Sequence, residues 1–575
     1  MAKILLTTKN DICDEIKNNV FKYNEIIEDN FLLLSFKKLN VDNENFAAFA
    51  NGDFIVSAGT LIYDEVIGNK ALENIYQDYN GKPDSVRKKI IGNYTLVIKK
   101  KNKIHVFVDE NSIHDLYYKV DESKYTLGTS LYDVAITELE TISVSKNKLA
   151  ELCAQYSIIG QETFYNEINR LQANQIVVID CQTNVVEIKE VTNHVEALDL
   201  STIEEYLDYT VNQMDICGKA LAKNFRKFGI SMTGGLDSRI ILSIFLKHNI
   251  SPKLYYGVGN NSITNTKSGD LVVNQKLSEK YDLTLKVMDW DHPDPIDANW
   301  NALLKKYGFL SEVYAGANIF SEFENIDVDF IEYGYFGEPF RNVDWIENKK
   351  KGSFSLDHFL DDFYINTSAR CLVDDFDAYK DGIRKSFIKV CQQNNLDYNK
   401  LTLENFQVLH NEYRKNADKI MLNLSNLFCY SASVLSQKRF TNISESLPKN
   451  YKNNASFILR LLDKLHPDIL ETEFFSHTKS WIFKRENFEL KRKDVIKLDK
   501  IVGVIRKLNI NTTFLEKIYG SLRKNKESEE VKNREALRNF LKEKTPQVNL
   551  DEITQIGLLA KYTHNSYMIS KTIKK

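Results

Sequence analysis

The chain has 575 residues, of which 43% are hydrophobic and 11% aromatic, with only 8 prolines and 23 glycines. Length and composition indicate a globular protein of two or three domains, and they exclude collagen-like, low-complexity and disordered chains. Lys and Arg number 76 against 79 Asp and Glu. This near balance gives no overall electrostatic attraction to nucleic acid, and we expect no nucleic-acid partner.

Cysteine usage and the N-terminus predict the compartment. The seven cysteines are widely spaced and include no CxxC pair, which is typical of reduced thiols rather than of a disulfide framework or a structural zinc site. The first residues lack the apolar core of a signal peptide, and no apolar run approaches the ~20 residues that cross a bilayer. We therefore expect a soluble cytoplasmic protein that has no membrane partner.

The first third of the chain predicts a β domain. From about residue 30 to 190, short β-branched and aromatic runs alternate with Gly, Asn and Asp, a pattern that indicates mainly antiparallel strands. The predicted strands are residues 54–57, 93–98, 104–108, 116–120 and 175–179. We assign residues 1–195 to this first domain.

The pattern changes after a polar connection near residues 190–200. A helix with a 3.6-residue period is predicted at 203–223 and an apolar strand at 227–232, and helices and strands continue to alternate downstream. Alternating β and α units imply a parallel sheet with helices on both faces. The prediction becomes mostly helical from about residue 350. The fold class is therefore α/β, with a parallel-sheet domain at 196–490.

The segment 491–575 is predicted as a basic helical extension, with an excess of ten positive charges. One interpretation is a docking surface for an acidic partner or nucleic acid. The other, which we favour, is a solvated helical tail, because a basic run at 523–526 is followed at once by three glutamates.

The motif with the most chemical information is Thr233-Gly-Gly-Leu-Asp-Ser238, between a predicted strand and a predicted helix. Consecutive glycines let the backbone turn tightly with its N–H groups in one concavity, and a helix N-terminus adds partial positive charge. Such a loop suits a phosphate chain, and the hydroxyls of Thr233 and Ser238 add donors. Asp237 would repel phosphate, but it suits a Mg²⁺ ion that bridges the phosphates.

An ordinary strand-to-helix turn is the alternative interpretation of this motif. The glycines would then serve geometry alone, and Asp237 or Ser238 would cap the helix. We favour phosphate binding because all six residues stand in the required strand–loop–helix context. The motif is not a Walker loop, since GxxxxGK[ST] is absent.

Thr233-Gly-Gly-Leu-Asp-Ser238 resembles the SGGLDS pyrophosphate loop of the N-type ATP pyrophosphatases, specifically of the class B, glutamine-hydrolysing asparagine synthetase family. Ser268-Gly-Asp-Leu271 and Gly334-Tyr-Phe-Gly-Glu338 are similar to later landmarks of that family, in the same order. The resemblance implies a doubly wound, adenine nucleotide α-hydrolase-like domain that uses ATP and Mg²⁺. By itself, Asp270 is interpreted either as a support of the phosphate site or as a helix start.

The resemblance also implies residue roles. Asp237 and Glu338 would hold Mg²⁺, and Met232 and Val258 would line the adenine site. The residues implied for ATP and pyrophosphate are Met232, Thr233, Gly234, Gly235, Leu236, Asp237, Ser238, Val258 and Gly334. The implied chemistry is adenylation of a carboxylate with loss of pyrophosphate, and attack by an amine then gives an amide and AMP.

Residues upstream resemble the glutaminase half of the same family. Gly59-Thr-Leu, Gly92-Asn-Tyr-Thr95 and Gly128-Thr-Ser130 are similar to its landmarks in order and spacing, which implies an αββα N-terminal nucleophile (Ntn) hydrolase fold. Position 2 is Ala2, where that family has its nucleophilic cysteine, and Cys13 is expected to be a structural thiol. We therefore expect a degenerate class II amidotransferase-like domain without glutamine hydrolysis.

The synthetase half also departs from the family pattern. Tyr335 stands where asparagine synthetases have Glu, and a Tyr at this position is similar to β-lactam synthetases. Its role is open between a catalytic base and a pocket wall. Tyr335 and Arg460 are predicted as the catalytic residues. Ser456 occupies the position of the expected active-site lysine. Candidate substitutes are Lys452, Lys415 and Lys419.

Together these features predict an asparagine synthetase-like, AMP-forming carbon–nitrogen ligase. Its substrates would be a small-molecule or peptide carboxylate and either ammonia or an amine. Two alternatives stay open. One is a specialised amide or peptide cyclase resembling lasso-peptide cyclases or β-lactam synthetases, and the other is a non-catalytic homologue that binds nucleotide or protein. A homodimer or a pathway protein partner is a further expectation.

Overall fold

The computed structural model describes residues 2–9, 12, 14–28, 30–42, 44–155, 157–191, 198–258, 266–289, 303, 306–309, 317–342, 352–366, 369–370, 372–476 and 479–492. In the N-terminal part, two six-stranded antiparallel sheets have strand orders β10-β8-β9-β1-β3-β2 and β12-β11-β7-β6-β5-β4. The strands are β1 (Lys3–Thr7), β2 (Tyr23–Glu28), β3 (Phe31–Phe36), β4 (Phe46–Ala48), β5 (Phe54–Gly59), β6 (Tyr94–Lys100), β7 (Lys103–Val108), β8 (Tyr117–Asp121), β9 (Lys124–Gly128), β10 (Asn169–Arg170), β11 (Gln175–Asp180) and β12 (Val186–Glu190). The helices are α1 (Asp14–Lys17), α2 (Gly68–Asp78), α3 (Asp84–Arg87), α4 (Leu131–Thr137) and α5 (Lys146–Gln155).

Alternation of side chains along the strands explains the layers. Successive residues of a strand point to opposite faces of its sheet. On β5, Val56 lies in the apolar core between the two sheets, whereas Ile55 packs with Leu72 of α2 on the outer face. On β3, Leu33 lies in the same central core and Leu34 faces the outer core that contains α4 and α5. The predicted αββα arrangement is confirmed.

The strands of the N-terminal part begin earlier than the sequence pattern predicts. The β signal was read from about residue 30, but β1 starts at Lys3 and pairs with both β3 and β9. Ala2 precedes this strand, is 3% exposed, and donates its N–H to the Phe36 carbonyl at 2.7 Å. Ala2, which the sequence resemblance aligns with a nucleophile, is therefore buried and held in sheet hydrogen bonding.

The second sheet system has five parallel strands in the order β15-β14-β13-β16-β17. They are β13 (Phe228–Ser231), β14 (Lys253–Val258), β15 (Leu285–Asp289), β16 (Phe330–Tyr333) and β17 (Tyr430–Ala432). The chain winds outward from β13 to β15, returns to the other side of β13 at β16, and continues to β17. This order is that of a doubly wound sheet, as predicted.

Helices of the second part surround this sheet and extend beyond it. They are α6 (Ile203–Asn224), α7 (Asp237–Lys247), α8 (Thr266–Tyr281), α9 (Ala317–Glu324), α10 (Leu356–Phe359), α11 (Phe376–Gln393), α12 (Leu403–Ser425), α13 (Lys438–Ser446), α14 (Lys449–Lys452) and α15 (Ser456–Leu465). Helix α6 begins with a capping box of Thr202 and Glu205, which fixes its start. No helix in the described residues is long and apolar enough to cross a membrane.

A small antiparallel sheet follows the helices. Its strands are β18 (Phe474–Ser476), β19 (Lys479–Lys484) and β20 (Glu489–Arg492). The prediction of a mostly helical chain after residue 350 agrees with α10 to α15, but it does not include this sheet or β17, because short strands show little of their pairing in local sequence. Strand β20 crosses position 490, where the sequence placed a boundary. The remainder of the predicted extension, 493–575, lies outside the described residues, and the two boundaries between the three predicted domains stay predictions.

Candidate active site

A cleft opens where the winding of the parallel sheet reverses. Strands β13 and β16 are parallel neighbours, with Ser231 opposite Tyr333 at their carboxyl ends. Loops that leave parallel strands at such a reversal diverge and create a crevice, which is the usual ligand site of open α/β sheets. The residues lining it include Thr233 and Asp237 from the first loop and Tyr335 and Glu338 from the second. The fold therefore brings together two of the sequence motifs.

The first loop, residues 232–238, is fastened by Thr233 and Ser238. The Thr233 N–H donates to the Ser238 hydroxyl oxygen at 3.2 Å, and the same hydroxyl lies 3.2 Å from the Thr233 carbonyl and side-chain oxygens. The N-cap of α7 is Leu236, with no side-chain cap, and Asp237 is the first helical residue. The expectation that Asp237 or Ser238 caps the helix is wrong, because the Ser238 hydroxyl is used inside the loop.

The glycine N–H groups have partners within the protein. Gly234 donates to Asp270 Oδ1 at 2.6 Å, and Gly235 donates to Thr233 Oγ1 at 3.3 Å. The sequence predicts that both N–H groups face a phosphate, whereas in the structure they donate to protein oxygens. Residues in the first turn of a helix have no intrahelical acceptor for their N–H groups, and at α7 this turn begins at Asp237 in the cleft.

The acidic loop, residues 334–338, lies directly against the first loop. A Cβ on Gly334 would come within 2.7 Å of Ser238 N and Cα, and one on Gly337 within 2.5 Å of Asp237 Cβ. Only glycine permits these approaches. Between them, Phe336 has φ +67° and is buried, a backbone conformation that is uncommon for a bulky residue. The close approach holds the carboxylates of both loops on one cleft.

Asp237 is the first of two acidic groups at this junction. Its Oδ2 lies 3.6 Å from Arg341 Nη2. Its Oδ1 is buried and makes no hydrogen bond. Burial raises the pKa of Asp237, and nearby Glu338 adds to that effect, while Arg341 opposes it. A buried carboxylate oxygen without a partner is unfavourable in the free protein and is suited to a cationic ligand.

Glu338, the second acid, lies beside basic side chains. His410 Nε2 and Arg414 Nε each lie 3.5 Å from its Oε2. Burial by itself would raise the pKa of Glu338, but His410, Arg414 and Arg341 outweigh burial and lower it to about 2. Glu338 is therefore ionised at physiological pH.

Helix α12 supplies cleft residues that no motif identified. Arg414 and Asp418 line the cleft and are joined by an ion pair of 2.8 Å. Burial raises the pKa of Asp418 to about 6, against the effect of Arg414. His410, Arg414 and Asp418 are spaced four residues apart, which places them on one face of a helix. This spacing is visible in the sequence, but the sequence does not show that the face meets the phosphate loop.

The predicted site residues are not all in the cleft. Thr233, Asp237, Ser238, Gly334, Tyr335 and Glu338 line it. Met232 is 1% exposed in the core and bonds through its backbone to Tyr255. Val258 ends β14, and its side chain lies outside the described residues. Arg460 is on α15 with its guanidinium 4.8 Å from the Phe488 ring centroid, and it does not line the cleft.

The three lysines considered as substitutes differ in their partners. Lys415 pairs with Glu412 at 2.5 Å, and Lys419 forms a buried ion pair with Asp115 of the N-terminal part. Lys452 is 6% exposed, and burial lowers its pKa to about 8. Its backbone carbonyl accepts a bond from Asn342, close to the acidic loop. Among the three, Lys452 is the one not held in an ion pair.

The donor set fits a magnesium ion only in part. The described residues contain no group of three or more His, Cys, Asp or Glu side chains arranged to hold a metal. Asp237 and Glu338 would supply two oxygen ligands, and Asp237 Oδ1, which is buried and makes no hydrogen bond, is a suitable ligand atom for a cation. Mg²⁺ commonly takes one or two carboxylates and completes its shell with water and substrate phosphates. The residues therefore fit a metal that arrives with a phosphate ligand.

In comparisons with known proteins, the chain matches no family model and no curated protein. Similar solved structures include a glutamine phosphoribosylpyrophosphate amidotransferase from B. subtilis complexed with ADP and GMP, with 7% identity, TM-score 0.22, and 58% of this chain and 70% of that chain covered. Another, titled an allosteric regulatory enzyme of purine biosynthesis, has 10% identity and a TM-score of 0.22, with 53% of this chain and 71% of that chain covered. A glutamine-dependent NAD+ synthetase from Acinetobacter baumannii in complex with ADP has 14% identity and a TM-score of 0.14, with 29% of this chain and 34% of that chain covered. These TM-scores lie below 0.5, and the likenesses carry no argument about activity.

Proposed function

We propose that the chain is an ATP-dependent, AMP-forming carbon–nitrogen ligase of the asparagine synthetase type. The observation that carries the proposal is the junction of the two loops at the sheet reversal. There, Gly334 and Gly337 let the Glu338 loop contact the start of α7 and Asp237. A helix start that supports anionic groups and two acids that suit a cation make one site for a metal-bound nucleotide.

The chain's own groups would bind and orient the phosphates. Residues at the start of α7 offer N–H donors, and Ser238 keeps the loop in shape. Arg341 and Arg414 line or border the same cleft with positive charge. Mg²⁺ held by Asp237 and Glu338 would supply neutralisation of the phosphate charge. Because adenylation by a carboxylate depends mainly on positioning and charge neutralisation, these groups are the parts that the reaction requires.

The second half-reaction requires a proton acceptor for the attacking nitrogen. Two candidates line the cleft, Asp418 and Tyr335. Asp418, with a pKa raised to about 6 by burial, is mostly ionised at neutral pH and is the better acceptor of the two. Tyr335 stacks on Tyr333 with 5.2 Å between ring centroids, an arrangement that suits a cleft wall. We assign the base to Asp418 and the wall to Tyr335.

The nitrogen would come from free ammonia or from an amine on the substrate. Position 2, which the resemblance aligns with the glutaminase nucleophile, is Ala2, which is buried, bonded into the first sheet and without a thiol. Cys13 lies outside the described residues. The missing thiol at position 2 supports the cyclase-like variant of the proposal, in which one substrate carries both carboxylate and amine. The identity of the acid is left to experiment.

ATP–pyrophosphate exchange tests the proposal. Purified protein is incubated with ATP, Mg²⁺ and labelled pyrophosphate across a panel of carboxylic acids that includes aspartate, amino acids with a distal amine, and peptides. We expect exchange that depends on one class of acid and on Mg²⁺. No acid-dependent exchange together with undetectable Mg-ATP binding would refute the ligase. Nucleotide binding with no exchange for any acid would favour the non-catalytic homologue.

A further inference from the structure

The N-terminal part is joined to the edge of the parallel sheet by two glycine turns. Strand β17 is the last strand of that sheet, so half of its N–H groups have no strand beside them. Tyr430 donates its N–H inward to Asp329, whereas Ser431 donates outward to Thr60 Oγ1 at 2.8 Å. Ser433 donates outward to Asn93 Oδ1 at 3.0 Å. Thr60 therefore pairs with an edge N–H of β17, which it shares with Asn426 Oδ1 at 3.2 Å, and Asn93 pairs with Ser433, which follows the strand.

Glycine fixes the position of both side chains. Gly59 has φ +90°, and a Cβ there would lie 2.4 Å from the Asn93 carbonyl oxygen. Gly92 has φ +124°, and a Cβ there would lie 2.2 Å from the Thr60 carbonyl oxygen. The two turns thus pack on each other, and the Thr60 N–H bonds to the Asn93 carbonyl at 2.8 Å. Any other residue would separate them.

The contact continues from Asn93 to the acidic loop. Asn93 is 1% exposed, and its Nδ2 donates to Ser436 Oγ at 3.0 Å, while Ser436 Oγ donates to the Ser433 carbonyl at 2.7 Å. Ser433 Oγ then donates to the carbonyl of Tyr335 at 2.9 Å. A short chain of hydrogen bonds therefore runs from the first domain to a residue that lines the candidate active site.

We infer that Asn93 is a positioning residue of the active site, acting across the domain contact through Ser433 on the loop of Tyr335. The first domain then has a role in the reaction without holding a reacting group. The inference rests on the proposed function for its catalytic meaning. The structural connection between Asn93 and the loop of Tyr335 rests only on the hydrogen bonds through Ser433.

Amide hydrogen exchange of the acidic loop tests the link in the full-length protein. Asn93→Ala removes the acceptor of the Ser433 N–H, and Ser433→Ala removes only the hydroxyl that reaches Tyr335. We expect each to speed exchange in residues 334–338 about fivefold, the effect of one lost hydrogen bond. The double variant should be no faster than the larger single effect, since both interrupt one chain.

Asn111→Ala is the matched control. Asn111 is also buried in the first domain and crosses the same contact, but it bonds to the Ser436 carbonyl and Thr441 Oγ1 and not to Ser433. Its effect on the loop should stay below twofold. In ATP–pyrophosphate exchange, Asn93→Ala should lower kcat about tenfold with the KM for ATP within twofold, because Asn93 makes no bond to residues 233–238.

The outcomes separate this inference from the proposed function. Unchanged loop exchange in both Asn93→Ala and Ser433→Ala would overturn the inference, as would an equal effect of Asn111→Ala. Faster loop exchange in a protein with no pyrophosphate exchange for any acid would support the link while the proposed function fails. If Asn93→Ala does not fold, Ser433→Ala alone decides the question, because it removes one hydroxyl.

Discussion

At the scale of single residues, the cleft contains several carboxyl groups whose surroundings disfavour the ionised form. Burial raises the pKa of Asp237 and of Asp418, and Asp237 keeps one oxygen without a hydrogen bond. Because the folded-state pKa of each carboxyl is raised, its ionisation at neutral pH costs stability. Such positions are typical of functional sites, where strain in the free protein is relieved by the ligand.

Glu332 is a further buried acid, on β16 just before the acidic loop. It is 0% exposed, Val434 donates to its Oε1, and its Oε2 has no hydrogen-bond partner. Burial raises its pKa well above the ordinary value, although the Val434 N–H opposes this. Between the unfolded pKa of 4.5 and the raised folded pKa, the folded state alone binds the proton, so stability falls as pH rises.

Glu332→Gln should therefore stabilise the protein at pH 8, by on the order of 1–3 kcal/mol. The gain should shrink as pH falls and level off below about 4.5, the unfolded pKa, where Glu332 becomes protonated in both states. Urea unfolding of wild type and variant at several pH values measures the difference. A constant difference across this range would show that Glu332 is not protonated in the folded protein.

Of the residue-scale features, local sequence was sufficient to predict the strand, glycine turn and helix start around residues 232–238. The motif Thr233-Gly-Gly-Leu-Asp-Ser238 is continuous, and its glycines and acid lie where the pattern placed them between strand and helix. Local sequence was not sufficient for Asp418 and Arg414, because their helix is brought to the cleft by tertiary packing. Arg460 was placed from family resemblance alone, and its surroundings are set by the β20 hairpin, which the sequence pattern did not show.

At the scale of elements, the small C-terminal sheet is fastened to the phosphate loop. Phe475 donates its N–H to the Gly234 carbonyl at 3.0 Å. Arg239, immediately after the motif, is 0% exposed and donates to the carbonyls of Ile469, Thr472 and Glu473, with its guanidinium 3.8 Å from the Phe474 ring centroid. Charge-assisted bonds of a planar guanidinium to several carbonyls are strong and geometrically specific.

Arg239→Lys should detach this sheet from the loop, since an ammonium cannot reproduce the forked contacts. We expect a loss of about 2–4 kcal/mol in the free energy of unfolding. We also expect earlier tryptic cleavage within residues 474–492, which limited proteolysis measures. Arg485→Lys is the control, because Arg485 makes one exposed ion pair with Asp463 and should change stability by less than about 0.5 kcal/mol. Equal protease sensitivity of the two variants would contradict the role of Arg239.

At the scale of the whole molecule, the two parts share buried polar contacts. Lys419 pairs with Asp115, and Lys3 and Ser130 bond to the Gly308 carbonyl. Thr60 bonds to Ser431 of β17, and Asn93 bonds to Ser433, which follows that strand. The layer architecture was predictable because strand alternation and βα alternation are periodic signals. The contact between the parts was not, because each partner residue is separated from the other by more than a hundred positions.

Glutamine should yield no glutamate when added with ATP, Mg²⁺ and any accepted acid. The physical reason is that Ala2 has no nucleophilic atom and is held in the first sheet. An enzyme-coupled glutamate assay measures this, with ammonium chloride as the comparison. Glutamate formation above the rate without protein would contradict the loss of glutaminase chemistry.

Mg²⁺-dependent ATP binding, measured by titration calorimetry on wild type and on Asp237→Asn, tests the central claim most directly. The wild type should bind ATP with Mg²⁺ and at least tenfold more weakly with EDTA. Asp237→Asn should lose this metal dependence, yet melt at the same or a higher temperature, because a buried carboxylate has been neutralised. Equal ATP binding with and without Mg²⁺, or wild-type binding by Asp237→Asn, would contradict a metal–nucleotide site at the reversal of the sheet.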